Sequence, residues 1–217
     1  MAACWVPCCP GFVHPVAPAA AAHHQRANTT EEHPMSVTLV LGGARSGKSR
    51  YAESLLGGCP SVTFVAPGPV PDGSDPEWTE RIAMHQARRP ARWTTCETAD
   101  LETVIQTSAH PILIDCLSTW LTRLIDDLDA WEDRERAAAH VLQETSRLVS
   151  ALGAATVDVV LVSNEVGSSV VPGTASGRMF RDDLGRLNAA VSAASDHVAL
   201  VVAGRVLDLS GCPVVAE

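Results

Sequence analysis

The run Gly42-Gly43-Ala44-Arg45-Ser46-Gly47-Lys48-Ser49 constrains the fold of this chain more than any other stretch. It fits G-x-x-x-x-G-K-[ST], a loop whose backbone amides wrap an anionic phosphate when a strand leads into it and a helix leads out. Both flanks are present: residues 37–41 form a short apolar run that reads as a buried strand, and residues 48–56 carry a helical pattern. The glycines let amide N–H groups turn inward, and the helix start adds partial positive charge. Lys48 is expected to reach the β- and γ-phosphate oxygens, and the Ser49 hydroxyl to bind Mg²⁺.

Lysine usage points the same way. The 16 basic residues are 15 Arg and one Lys, and Lys48 is that one. Arginine serves wherever either cation will do, so the surviving compact ammonium marks a place where a broad planar fork does not fit. Asp115, ending the apolar run 112–114, is the natural acidic partner for the Mg²⁺.

Strand and helix signals alternate along the rest of the chain. Residues 62–66 read as a second strand and 67–75 (PGPVPDGSD) as a loop. Ser74, with Glu77 three residues on, forms a capping box for a helix over about 75–88. Residues 111–115 (PILID) predict a strand, followed by a helical pattern through Leu128. A longer helix over 131–152 places Ala138, Val141, Leu142, Leu148, Val149 and Leu152 on one side. Residues 157–163 predict a strand, 178–194 a helix, and 198–203 with 205–209 a closing pair of strands. The alternation predicts an α/β fold, a mostly parallel sheet with helices on both faces. Residues 1–34 carry neither period, so a disordered extension is expected there, with Met35 opening a folded domain over 35–217 and an over-called start upstream.

Composition removes several classes of function. No run of about 18 apolar residues exists, which excludes a membrane-spanning helix. A formal charge of −9 argues against a broad basic surface for nucleic acid. The seven cysteines, at 4, 8, 9, 59, 96, 116 and 212, show no C-x-x-C spacing and read as reduced thiols in a cytoplasmic protein.

The phosphate loop and three further stretches carry a resemblance. In order, GGARSGKSRYAE, ERIAMHQARRPARWTTCE, ILIDCLSTWLTRL and VLVSNEVGSSVVPGTASGRMFRDDLGRLN make the chain from Met35 to about Leu209 similar to the bifunctional adenosylcobinamide kinase / adenosylcobinamide-phosphate guanylyltransferases of cobalamin biosynthesis. The resemblance implies a RecA-like P-loop fold, a homotrimer, and two reactions. The first phosphorylates the hydroxyl of the aminopropanol arm of adenosylcobinamide with ATP or GTP. The second moves GMP from GTP onto that phosphate through a guanylylated histidine, releasing pyrophosphate.

His85 occupies the family's nucleophile position in R-I-x-x-H-x-x-x-R-P. On a helix Arg81, His85 and Arg88 recur at i, i+4 and i+7, so two guanidiniums can flank an imidazole and balance a triphosphate's charge; Trp78 and Ile82 approach the same face. That spacing alone equally suits a packed helix histidine among surface arginines. The resemblance also implies GTP contacts at Ala66, Pro67 and Gly68, at Gln86, Ala87, Arg88 and Arg89, at Glu97 and at Asp115. Relatives often carry A-T-[AS] where Ala66-Pro67-Gly68 stand, so only backbone contacts are expected there, and the loop over 69–75 is longer. A carboxylate at Glu97 can accept from guanine N1–H and N2–H₂, whereas adenine presents an acceptor at N1; a solvated surface acid is the other reading.

Asn164 and Glu165 follow an apolar strand at the carboxyl edge of the expected sheet, where ligands bind in such folds. Glu165 is a candidate to orient or deprotonate the cobinamide hydroxyl and Asn164 to position phosphate or substrate, with loop stabilisation the competing role for both. Arg178 and Arg181 either help neutralise phosphate or pair with Asp182 and Asp183. Two other functions fit the same loop: a monofunctional P-loop small-molecule kinase with a structural His85, and a RecA-like ATPase or nucleotide switch.

Overall fold

The computed structural model describes residues 35–71, 73 and 75–215, and for Trp78, Arg81, His85 and Arg88 the helical backbone alone. The expectations for residues 1–34 and for the capping role of Ser74 lie outside the described residues. Strands and helices follow in the order β1 (Val37–Gly42), α1 (Lys48–Leu55), β2 (Thr63–Val65), α2 (Pro76–Arg88), β3 (Thr94–Cys96), α3 (Leu101–Thr107) and β4 (Ile112–Asp115). They continue with α4 (Leu117–Asp127), α5 (Arg134–Gly153), β5 (Val159–Asn164), α6 (Ala175–Ala193), β6 (His197–Val202) and β7 (Arg205–Asp208).

One seven-stranded sheet runs β3-β2-β4-β5-β1-β6-β7, parallel throughout except for the antiparallel β6–β7 hairpin. The period of two along the central strands decides which side each residue covers. Leu39, Ile112, Ile114, Val159 and Leu161 enter the core under α3, α4, α5 and α6, while Val40, Leu113, Val160 and Val162 pack with Ala52 and Leu56 near α1. Both faces being buried, the strands read as continuous apolar runs rather than alternating ones. The sheet's edges are short strands, three residues in β3 and four in β7, which limits the unpaired backbone offered to other chains.

Local chemistry sets the helix boundaries. Pro76 opens α2 at the first helical position, where its fixed φ suits a helix and its missing N–H costs nothing. The helix expected from residue 131 begins at Arg134 because the Asp133 side chain accepts from the Arg136 amide at 3.1 Å and caps it. Its buried side is Ala137, Val141, Thr145, Leu148, Ala151 and Leu152, whereas Leu142 is 68% exposed. The expected stripe was thus rotated: α3, α4 and α6 pack along the 137–141–148–152 line, and Leu142 points a hundred degrees away from Val141. Helix α6 starts three residues before the expected Arg178, capped by Thr174, whose Oγ1 accepts from the Gly177 amide at 3.1 Å.

Candidate functional site

The carboxyl ends of β1, β5 and β4 lie side by side, with Gly42 opposite Asn164 and Asp115 opposite Val162 in the register. The loop after β1 closes tightly on itself. Ser46 N donates to the Gly43 carbonyl at 3.3 Å, and the same carbonyl accepts from Lys48 Nζ at 3.2 Å. Lys48 is buried at 7% exposure, and its own amide donates to Ser46 Oγ at 3.4 Å. Gly47 holds φ at +99°, a backbone that side chains rarely adopt, and from it α1 begins, with Tyr51 N donating to the Gly47 carbonyl at 3.0 Å.

The closing hairpin buttresses this loop. Ala203 and Gly204, both at positive φ, form the two-residue turn between β6 and β7, and Gly204 N donates to the Ser46 carbonyl at 3.0 Å. A last tie comes from the residue after β5, where the Glu165 amide donates to the Gly42 carbonyl at 3.1 Å. The carbonyls of Gly42, Gly43, Ser46 and Gly47 are thereby occupied. Of the expected residues, Gly43, Ala44, Arg45 and Gly47 are exposed, Ser49 is half-buried, and Gly42, Ser46 and Lys48 are buried.

A separate cleft opens at the same edge between α2 and β4. Six of the expected GTP contacts line it: Ala66, Gly68, Gln86, Arg89, Glu97 and Asp115. Pro67 and Ala87 are not among its lining, and the Arg88 side chain lies outside what the structure describes. Arg89 is the best fixed: its guanidinium lies 3.4 Å from the Phe64 ring centroid, and Nη1 donates to Thr95 Oγ1 at 3.1 Å. The backbone contact of Ala66 is to β3, its amide donating to the Cys96 carbonyl at 2.9 Å. Strand β5 separates β4 from β1, so the cleft and the phosphate loop are about 10 Å apart by strand spacing. Helix α2 borders the cleft through Ile82 and Gln86, and the backbone of His85 stands between them along the helix; its side chain lies outside what the structure describes.

Cys116, Thr119 and Ile82, with the Pro69–Pro71 segment, also line this cleft and were not singled out in the sequence as nucleotide contacts. The signal for Cys116 and Thr119 was available: they follow Asp115 directly and cap α4, Cys116 at its N-cap and Thr119 in its first turn. Thr119 Oγ1 donates to the Cys116 carbonyl at 2.9 Å.

Glu165 and Asn164 are both committed to local structure. Glu165 Oε1 accepts from the amide of Ser168 at 3.0 Å and from its hydroxyl at 3.3 Å, fixing the turn after β5. Asn164 Nδ2 donates to Ser118 Oγ at 2.7 Å, and its carbonyl accepts from Asn188 Nδ2 at 3.0 Å. Arg178 donates through Nη1 to the Pro172 and Gly173 carbonyls, both at 3.0 Å, and so braces the loop before α6. Arg181 pairs with Asp182 at 3.0 Å and holds that carboxyl below its ordinary range, while Asp183 pairs with Arg186 and is pushed up because burial outweighs the guanidinium.

Ser49 and Asp115 offer a hydroxyl and a carboxylate and no sulfur or nitrogen, which suits a hard cation such as Mg²⁺ that keeps waters and phosphate oxygens as its other ligands. Among the described residues no cluster of three or more His, Cys, Asp or Glu forms a self-sufficient metal cage. No described helix is long and apolar enough to cross a membrane.

A mostly parallel sheet, a glycine loop cradled between strand and helix with a buried lysine, and a second cleft two strands away define an α/β P-loop nucleotide-binding protein. Residues 38–209 match the family described as cobinamide kinase / cobinamide phosphate guanyltransferase, and the chain belongs to it. It is similar to the bifunctional adenosylcobalamin biosynthesis protein CobU of Salmonella typhimurium, 40% identical over 175 residues that cover 76% of this chain and 95% of that one. It is also similar to CobU of Escherichia coli, 38% identical over 176 residues covering 76% and 95%. Among solved structures it is similar to the P4 protein of bacteriophage phi6 in complex with ADP, 16% identical with a TM-score of 0.40, covering 84% of this chain and 58% of that one.

Proposed function

We propose that this chain phosphorylates adenosylcobinamide and then converts the product to adenosylcobinamide-GDP. The observation that carries this reading is the presence, at one edge of the sheet, of a phosphate loop and of a second cleft bordered by the helix that bears His85.

In the first reaction the phosphate loop, residues 42–49, holds the triphosphate of ATP or GTP, and Lys48 leaves the Gly43 carbonyl for the β- and γ-oxygens. Ser49 and Asp115 are the residues that would hold Mg²⁺, which when bound neutralises charge on the phosphates. Glu165 accepts the proton of the cobinamide hydroxyl as its oxygen bonds to the γ-phosphorus, and the bond to the β-phosphate oxygen breaks. Its fixed turn keeps the carboxylate at the sheet edge.

In the second reaction a neutral His85 nitrogen bonds to the α-phosphorus of GTP and pyrophosphate leaves. A phosphate oxygen of the cobinamide product then bonds to the same phosphorus, the P–N bond breaks, and free His85 returns. Ala66, Pro67, Gly68, Gln86, Ala87, Arg88, Arg89, Glu97 and Asp115 hold the guanine nucleotide during this step. Glu97 accepts from guanine N1–H and N2–H₂. The protein works in the cytoplasm as a homotrimer.

Incubating the full chain with adenosylcobinamide, Mg²⁺ and ATP, then adding GTP, tests the reading. Chromatography should show the monophosphate first and the GDP conjugate with released pyrophosphate second. A monophosphate that never advances would support a plain kinase instead, and ATP hydrolysis without transfer would support a nucleotide switch.

A further inference from the structure

Asn188 sits where its neighbours favour an apolar residue. On α6, Leu184, Leu187 and Val191 are buried in the core, and Asn188 among them is only 7% exposed. Its Oδ1 has no hydrogen-bond partner among the described residues, a penalty that a leucine of similar volume would avoid. The bond it does make is long-range: Nδ2 to the Asn164 carbonyl at 3.0 Å. Asn164 Nδ2 in turn donates to Ser118 Oγ at 2.7 Å, and Ser118, 3% exposed in the first turn of α4, lies 2.9 Å from Cys116 Sγ. The next amide along, that of Glu165, donates to the Gly42 carbonyl at 3.1 Å.

Residues 164 and 165 are therefore held from three directions: by α6 through Asn188, by the start of α4 through Ser118, and by the phosphate loop through Gly42. These ties join the three segments that must keep register during phosphoryl transfer: the loop that grips the triphosphate, the end of the acidic strand, and Glu165. We propose that Asn188 and Ser118 are positioning residues for phosphoryl transfer, fixing the Asn164–Glu165 peptide between the phosphate loop and α4. The chemistry of this inference rests on the kinase reading above; its geometry does not. Both side chains are buried. They act by preventing the slack of about 1 Å that can cost a positioned reaction up to a hundredfold.

The test uses the full chain with Asn188→Leu, which fills similar space without a donor, and Ser118→Ala, a gentler change that keeps the protein folded should the first fail. Two quantities are read: the hydrogen-exchange rate of the Glu165 amide, and kcat and KM for ATP with adenosylcobinamide. Each variant should speed exchange at Glu165 about tenfold while Leu161 in mid-β5 is unchanged, because only the local tie is lost. Each should also lower kcat about tenfold with KM for ATP within about twofold, and the double variant should be little worse than the poorer single, since both act on one peptide. Unchanged Glu165 exchange, faster exchange along all of β5, or a kcat that falls only with the folded fraction would overturn the proposal. If the natural chain transfers no phosphoryl group, the kinase reading falls, and the exchange rates still decide whether Asn188 and Ser118 hold the peptide.

Discussion

Alanine at Gly42 should destabilise the fold, while alanine at its neighbour Gly43 should not. A methyl at Gly42 would lie 2.6 Å from Ser46 Oγ and 2.7 Å from the Val201 carbonyl, and at Gly43 it would meet nothing within 4 Å. The Val201 carbonyl cannot swing aside, because β6 is paired with β1 in register at this point, Gly42 opposite Val201. Ser46 is equally confined: it is buried, its hydroxyl accepts from the Lys48 amide, and its carbonyl accepts from Gly204. Backbone must therefore move by roughly 0.7 Å to restore ordinary contact, an overpacking that costs about 1–3 kcal/mol. For a domain of this size that is a fall in Tm of roughly 3–10 °C. Gly43→Ala should stay within about 0.5 kcal/mol of the natural chain, as exposed substitutions do. Gly47→Ala falls between them, at about 1–2 kcal/mol for forcing a side chain into the left-handed region. Thermal unfolding followed by circular dichroism, without nucleotide, ranks the three. A Gly42→Ala protein that melts with the natural chain, or a Gly43→Ala protein that melts as low as Gly42→Ala, would refute the reasoning.

Two further outcomes are expected. Glu97→Gln should lower the preference for GTP over ATP in the guanylyl-transfer step by roughly tenfold, the size of one lost charge-assisted hydrogen bond, and competition binding with the two nucleotides would show it; unchanged purine preference removes Glu97 from base recognition. Asp100→Ala should cost about 1 kcal/mol at pH 7, because its carboxylate caps α3 by accepting from the Thr103 amide at 3.1 Å. Those hydrogen bonds from Thr103 hold the Asp100 carboxyl below its ordinary value of 3.8, so the cap's contribution is full above that value and is lost as pH falls below it. Urea titrations should accordingly show the gap between the two proteins narrowing as pH is taken progressively below 3.8, and a gap that stays constant through that acid range would contradict the capping assignment.

The phosphate loop was legible because three independent signals coincide there: an apolar run, a glycine spacing and the chain's one lysine. The central strands were legible because burial on both faces leaves unbroken apolar runs at 112–114 and 159–162. β3 was missed for the opposite reason, since Thr94-Thr95-Cys96 at the sheet edge is mostly exposed and carries no apolar period. Helix α3 was missed although Asp100 announces it, because seven residues hold too few turns for a pattern to register. Leu142 misled the reading of α5: an exposed leucine is common on protein surfaces, and a one-residue error in a helical stripe turns it by a hundred degrees. Among candidate site residues, Ala66, Gly68, Gln86, Arg89, Glu97 and Asp115 line the α2–β4 cleft together. The ties through Asn188 and Ser118 were out of reach, because they join positions 188, 164 and 118 through buried polar atoms that no local spacing betrays.

Covalent capture of GMP tests the two-reaction reading most directly. The full chain and its His85→Ala variant are incubated with Mg²⁺ and GTP labelled at the α-phosphate, without corrinoid, then denatured. Acid-labile, alkali-stable label on the natural chain that is absent from His85→Ala is the expected result. A natural chain that binds nucleotide yet retains no label, or a His85→Ala chain that labels equally, would contradict a guanylylated His85.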